Sequence, residues 1–185
     1  MFHFYLALEI ILAYVIGSIP SAVWVGKLFY HIDVREHGSG NAGATNVIRV
    51  LGYKAGIPVL LIDVFKGFAA VQVIFLFPHP GLSDDFITYV RICMAFAAVL
   101  GHVFPVFAGF KGGKGVGTLA GAAIALYPMA LLVEIVLFVS SIVITRFVSF
   151  SSVLYLSLPS LFALYQKVLL RRSVYASPHA PRLRI

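Results

Sequence analysis

The chain has little charge, few acidic residues and almost no cysteine. Charged residues make up 11% of its 185 residues and hydrophobic residues 61%. A soluble domain carries roughly 25% charged residues, so this composition excludes one. With a mean hydropathy of +0.98, the chain reads as an integral membrane protein. One cysteine, Cys93, excludes an internal disulfide framework and a cysteine-based metal cluster; inside an apolar segment it reads as a small packing residue. The six histidines have no zinc spacing, and no GxSxG elbow is present. Gly113-Lys114 is followed by Gly115 where a P-loop needs Ser or Thr. Gly115-Val116-Gly117-Thr118-Leu119-Ala120 fits GxGxxA only formally, without a βαβ context. No metal and no organic cofactor is expected.

What is present is a series of apolar runs of roughly 20 residues, the length that crosses about 30 Å of hydrocarbon. They are Phe4 to Lys27, Gly56 to Phe77, Ile87 to Phe107, Val116 to Thr145 and Val148 to Val168. The fourth is too long for one simple span. It reads as one kinked helix or as two short helices broken at Tyr127-Pro128. The expected fold is all-α, a polytopic transmembrane bundle of five to seven helices. Pro20, Pro105 and Pro159 bend helices or mark their ends. The first run lacks a basic n-region and is too long for a signal peptide, so it reads as a retained span. Residues 1–168 are expected to form one membrane domain and 169–185 a basic tail.

Charge sets the expected orientation. The net charge is +7, with 14 basic against 7 acidic residues. Basic residues lie in short segments between apolar runs and in the tail, as topology signals do; no nucleic-acid partner is expected. Arg35, Arg49 and Lys54 flank the first polar segment, Lys111 and Lys114 the second, whereas Pro78 to Phe86 has no basic residue and contains Asp84 and Asp85. The positive-inside rule places both basic segments and the C-terminus in the cytoplasm. Arg91 and Arg146 run against this balance, each near the outer interface.

Both basic segments are rich in glycine: Gly38-Ser39-Gly40-Asn41-Ala42-Gly43-Ala44-Thr45-Asn46 with Arg49, and Gly109-Phe110-Lys111-Gly112-Gly113-Lys114-Gly115. Glycine lets backbone N–H groups turn toward one centre, and Arg, Lys and Asn add directed donors, so an anion, and first a phosphate, is the expected guest. Turn and cap chemistry is the plainer account of Ser39, Asn41 and Asn46. Topology and headgroup contact is the plainer account of Lys111 and Lys114. Asp63 and Lys66, three apart on one helix face, read as a structural pair or support for the site. His102 reads as a hydrogen-bonded structural residue or as a general base.

Four ordered motifs resemble the bacterial acyl-phosphate:glycerol-3-phosphate acyltransferase family, the PlsY type. They are Gly17-Ser18-Ile19-Pro20-Ser21, Gly38 to Arg49, Asp63-Val64-Phe65-Lys66-Gly67, and Gly101-His102-Val103-Phe104-Pro105 leading into Phe110 to Gly115; Arg146-Phe147-Val148-Ser149 extends the likeness. The resemblance implies acyl transfer from acyl phosphate to the 1-hydroxyl of sn-glycerol 3-phosphate, giving lysophosphatidic acid and phosphate for phospholipid synthesis in the bacterial inner membrane. It implies glycerol 3-phosphate, acyl phosphate and membrane lipids as partners, together with the soluble enzyme that makes acyl phosphate.

By the same resemblance, Ser39, Arg49, His102 and Lys114 are the expected catalytic residues. Asn41, Thr45, Asn46, Lys111, Gly112, Gly113 and Gly115 join Ser39, Arg49 and Lys114 in binding substrate. The tail departs from the family: a motif of His, Asn three residues later, Arg-Leu and Gly-x-Glu is not recognisable in Gln166 to Ile185. A catalytically inactive member and an organic-phosphate transporter are the alternatives.

Overall fold

The computed structural model describes residues 2–128. The far part of the fourth apolar run, the run Val148 to Val168, Arg146 and the tail lie outside the described residues. Within them the chain is helical, without strands: α1 (Phe2–Gly17), α2 (Ser21–Tyr30), α3 (Ala44–Leu51), α4 (Tyr53–Gln72), α5 (Asp84–Val103) and α6 (Val116–Leu126). Among the described residues three runs are long and apolar enough to cross a membrane, Phe4–Tyr30, Tyr53–Leu76 and Asp84–Ala108. Leu61, Phe65, Phe75 and Phe96 are exposed on them, as lipid-facing side chains are.

The first run, expected as one span from Phe4 to Lys27, is one membrane-length run, Phe4–Tyr30, built of two helices. Pro20 lacks an N–H and disfavours helical geometry before it, so α1 stops at Gly17 and Pro20 becomes the N-cap of α2. The first glycine segment is also less loop than its composition suggests. From Ala44 it is helical, with Asn46 and Val47 buried and Thr45 and Arg49 exposed one turn apart. At the opposite end, Ser83 caps α5 through the Phe86 N–H, and Asp84 and Asp85 sit favourably in its first turn.

Close packing fixes helix directions. Gly17 lies against Ala98, and Ala13 shares a buried cluster with Met94, so α1 and α5 run the same way. Gly117 meets Asp63, and Gly121 meets Phe68, so α4 and α6 run together; Thr118 beside His102 and Ala125 beside Arg91 set them opposite to α5. Both glycine segments therefore share one face, with the turn between α4 and α5 on the other. Small residues let these backbones approach where lipid gives no hydrophobic drive for helix association.

α6 has 11 residues. At 1.5 Å per residue it rises only about 16 Å, half the hydrocarbon thickness. It ends at Leu126, and Tyr127, just before Pro128, has left helical geometry with φ −142°. Arg91 donates to the Ala125 carbonyl at this end and lies 5.6 Å from the Phe75 ring centre. A cation on the negative end of a helix explains a charge that runs against the topology signal. Cys93, expected in the packing, is exposed on α5.

A methyl group at Gly67 would overlap the Thr118 carbonyl, which is backbone and cannot turn aside. Gly67→Ala is expected to cost about 1–3 kcal/mol and lower the unfolding midpoint in detergent by several degrees. Leu61→Ala, 62% exposed, should leave that midpoint nearly unchanged.

Candidate functional site

The first segment is knotted by Asn46. Its amide donates to the Val34 and His37 carbonyls at 2.8 and 3.1 Å, and its oxygen accepts from the Ser39 N–H at 2.8 Å and the Ser39 hydroxyl at 3.1 Å. Asn46 is 2% exposed and its hydrogen-bonding capacity is filled within the protein. Ser39 and Asn46 thus set the shape of the turn, while Asn41, Thr45 and Arg49 stand around it.

The second segment folds back over the end of α5. The Gly112 and Gly113 N–H groups donate to the Val103 and His102 carbonyls at 3.1 and 3.2 Å. Those glycine N–H groups, expected to face a common ligand, instead satisfy carbonyls that α5 leaves open. Gly113 is wedged between the His102 ring and the Ala42 carbonyl, and a Cβ there would strike Nε2 of His102. This is where the two segments touch. From it the chain enters α3 at Ala44 and α6 at Val116, each capped by a glycine with no side-chain cap bond. Uncapped helix starts carry partial positive charge on free N–H groups. Arg49, Lys111 and Lys114 are exposed, and none of them has an ion-pair partner among the described residues.

Beneath the contact lies a buried polar centre. Asp63 Oδ1 accepts from Ser21 Oγ at 2.6 Å, pairs with Lys66 Nζ at 2.8 Å and faces His102 Nδ1 at 3.6 Å. Lys66 also donates to the Ile19 carbonyl at 2.7 Å, and Thr118 Oγ1 lies 3.0 Å from His102 Nδ1. With Nδ1 held by Thr118 and Asp63, Nε2 is the nitrogen turned toward the glycine contact. Such an orientation suits a general base, with Asp63 and Thr118 setting the ring. Asp63 and Lys66 are therefore the structural pair that their spacing suggests, and they also support His102.

Arg35 joins the two segments. It grips Asp33 through Nε at 3.0 Å and Nη2 at 2.7 Å, and its Nη1 donates to the Ala108 carbonyl at 2.8 Å. Lys27 Nζ approaches the same carboxylate at 3.1 Å. The Arg35 hydrogen bond holds the Asp33 carboxyl far below the usual carboxylate range, and Asp33 raises the Arg35 guanidinium in turn. A cleft of about 320 Å³ opens here, lined by Asp33, Arg35, Glu36, Gly40, Lys111 and Gly112. Arg49, His102 and Lys114 do not line it.

Sequence reasoning singled out Lys111, Gly112, Gly113 and His102, which the structure gathers at one junction. It missed the roles of Asp33, Arg35, Ser21 and Thr118. Asp33 and Arg35 were visible as an acid–base pair two residues apart before the first glycine; Ser21 and Thr118 gave no such signal. His79 and Asp84 stand at His-x4-Asp spacing. His79 pairs instead with Glu9 at 2.9 Å, in the turn at the face away from the glycine segments, so the spacing builds no part of this junction.

Three membrane-length apolar runs, closed at one end by two basic glycine segments, define a polytopic helical membrane protein. A family model for glycerol-3-phosphate acyltransferase matches residues 7–178, and the chain belongs to that family. It is 51% identical over 149 residues to a glycerol-3-phosphate acyltransferase of Chlorobaculum tepidum, covering 78% of this chain and 64% of that one. It is 46% identical over 147 residues to one of Streptococcus equi subsp. zooepidemicus, covering 80% and 65%. The chain thus spans less than two thirds of these relatives. The fold matches the crystal structure of PlsY, an integral membrane glycerol 3-phosphate acyltransferase, in its glycerol 3-phosphate form. The TM-score is 0.70 at 36% identity, over 87% of this chain and 77% of that one. For the lysophosphatidic acid form the TM-score is 0.66 at 35% identity, over 86% and 76%.

Asp63→Ala leaves Lys66 charged and unpaired in the bundle, and should cost about 3–5 kcal/mol, read as a large fall in the unfolding midpoint. Because the folded Asp33 carboxyl titrates below its unfolded value, its contribution is full above the ordinary carboxylate range and is lost as pH falls through and below that range. The unfolding midpoint should owe no change to Asp33 between about pH 5 and 8. Asp33→Asn should lower that plateau and make the acid limb shallower.

Proposed function

We propose that the chain transfers a fatty acyl group from acyl phosphate to the 1-hydroxyl of sn-glycerol 3-phosphate, releasing lysophosphatidic acid and inorganic phosphate. The observation that carries this reading is the contact of Gly113 with Ala42 and His102, from which two uncapped helix starts diverge beside exposed Arg49 and Lys114. Two anionic groups must be held together, and helix starts, a forked guanidinium and a compact ammonium are suited to phosphates. Family membership supports the same chemistry, and the PlsY crystal form with glycerol 3-phosphate supports that acceptor.

In this reading Arg49 and Lys114 hold the phosphates, with Asn41, Thr45 and Lys111 near them. Ser39, Asn46 and the glycines shape the walls. The acceptor hydroxyl attacks the acyl carbon, phosphate leaves with the bonding electrons, and the hydroxyl proton passes to a phosphate oxygen or to His102. No cofactor enters. The acyl donor arrives from the bilayer and glycerol 3-phosphate from the cytoplasm, on whose side both glycine segments lie, in a bacterial inner membrane. A soluble enzyme would supply the acyl phosphate. Residues 1–168 form the working domain in this scheme.

The test is purified chain in lipid, given palmitoyl phosphate and labelled glycerol 3-phosphate. Lysophosphatidic acid should form, and Arg49→Ala and Lys114→Ala should each lower kcat/KM by about 30-fold or more, the loss of one charge-assisted contact. The tail, in which the family's His, Asn, Arg-Leu and Gly-x-Glu motif is not recognisable, favours a second reading, binding without turnover. Binding of glycerol 3-phosphate with no product would select it, and no binding would overturn the site.

A further inference from the structure

We propose that Arg35 is a positioning residue that clasps the second glycine segment onto the first and thereby sets where Lys111 and Lys114 stand. Arg35 spends one edge of its guanidinium on Asp33, with Nε and Nη2 each on a different carboxylate oxygen. The remaining nitrogen, Nη1, reaches the Ala108 carbonyl at 2.8 Å and the Lys111 carbonyl at 3.5 Å, 73 and 76 residues away. Two acceptors at opposite ends of one short turn thus converge on one nitrogen.

The turn between them is shaped for this. Gly109 and Phe110 both lie in the left-handed region, at φ 63° and 61°. Phenylalanine rarely adopts that geometry, and it persists only where surrounding contacts hold it. The Phe110 N–H bonds to the Pro105 carbonyl at 2.9 Å, and Arg35 holds the outer side. The Arg35 side chain is 22% exposed and its charge is matched by Asp33, so its part is to hold distance rather than to attract an anion. Lysine cannot replace it: a compact ammonium cannot grip both carboxylate oxygens and a carbonyl on the far side in one plane. The Arg35 clasp and the Gly113 wedge both tie the segments, one on the cleft and one on His102.

The consequence for substrate binding rests on the acyltransferase reading; the clasp itself does not. The experiment uses the full chain in lipid nanodiscs with Arg35→Ala, Arg35→Lys and, as a control, Lys27→Ala. Lys27 touches Asp33 but makes no bond to the second segment. Amide hydrogen exchange across residues 108–113 should quicken at least about tenfold in both Arg35 variants, with exchange in α4 unchanged and the global unfolding midpoint falling no further than in Asp33→Asn, and Lys27→Ala should match the parent chain. In the transfer assay, KM for glycerol 3-phosphate should rise at least about tenfold while kcat stays within about threefold. Unchanged exchange in Arg35→Ala overturns the clasp, as does full restoration by Arg35→Lys. A fall in kcat at constant KM overturns the positioning role and places Arg35 on the reacting atoms. If the parent chain makes no lysophosphatidic acid, the acyltransferase reading fails, and the exchange result still decides the clasp. Should Arg35→Ala unfold globally, Asp33→Asn serves as the second variant: it frees the lower grip, and quickened exchange confined to 108–113 is again the required outcome.

Discussion

A lysine and a carboxylate buried together in an apolar bundle make the demand that the rest of the structure answers. Neither Asp63 nor Lys66 can be left unpaired at membrane depth, where the penalty is several kcal/mol per ion. Their pairing at 2.8 Å leaves further capacity on both groups. The break at Ser18-Ile19-Pro20 supplies it, because a bent chain presents the Ile19 carbonyl to Lys66 and the Ser21 hydroxyl to Asp63. His102 and Thr118 close the remaining side. One ion pair thus ties α2, α4, α5 and α6, and the carbonyl before Pro20, to one point. The glycine segments sit directly above it.

That anchoring explains why the second segment can be made largely of glycine and still be ordered. Its N–H groups close onto the end of α5, and Gly113 fits against the imidazole that the buried pair orients. The first segment is ordered differently, by a single asparagine with four hydrogen bonds. Rigidity in both places leaves the cationic side chains as the exposed, unpaired elements, which is how a charged ligand is met by a preorganised site.

The membrane class, the three long apolar runs of the described residues, the basic glycine segments and Pro20 as a bend or helix end were all legible in the sequence. So was the Asp63–Lys66 pair, because three residues on a helix are neighbours by geometry alone. The first span was legible as one apolar run, but its division into two helices at Pro20 was not, because hydropathy averages over a window and does not register a missing N–H. The length of the first loop was overestimated because glycine and asparagine mark turns and helix starts alike, and only burial of Asn46 and Val47 reveals the helix. Arg91 looked like a topology conflict until the short α6 placed a helix end against it.

The sequence by itself determined that the chain is a helical membrane protein of an acyltransferase family, with basic glycine segments between its spans. Hydropathy, charge and glycine content are local properties, and local patterns encode them. The tertiary structure alone decided which groups are spent on the fold and which remain free. Arg35 to Ala108, Ala42 to Gly113 and Asp63 to His102 are contacts over tens of residues, set by close backbone packing at small residues rather than by any repeat in the chain.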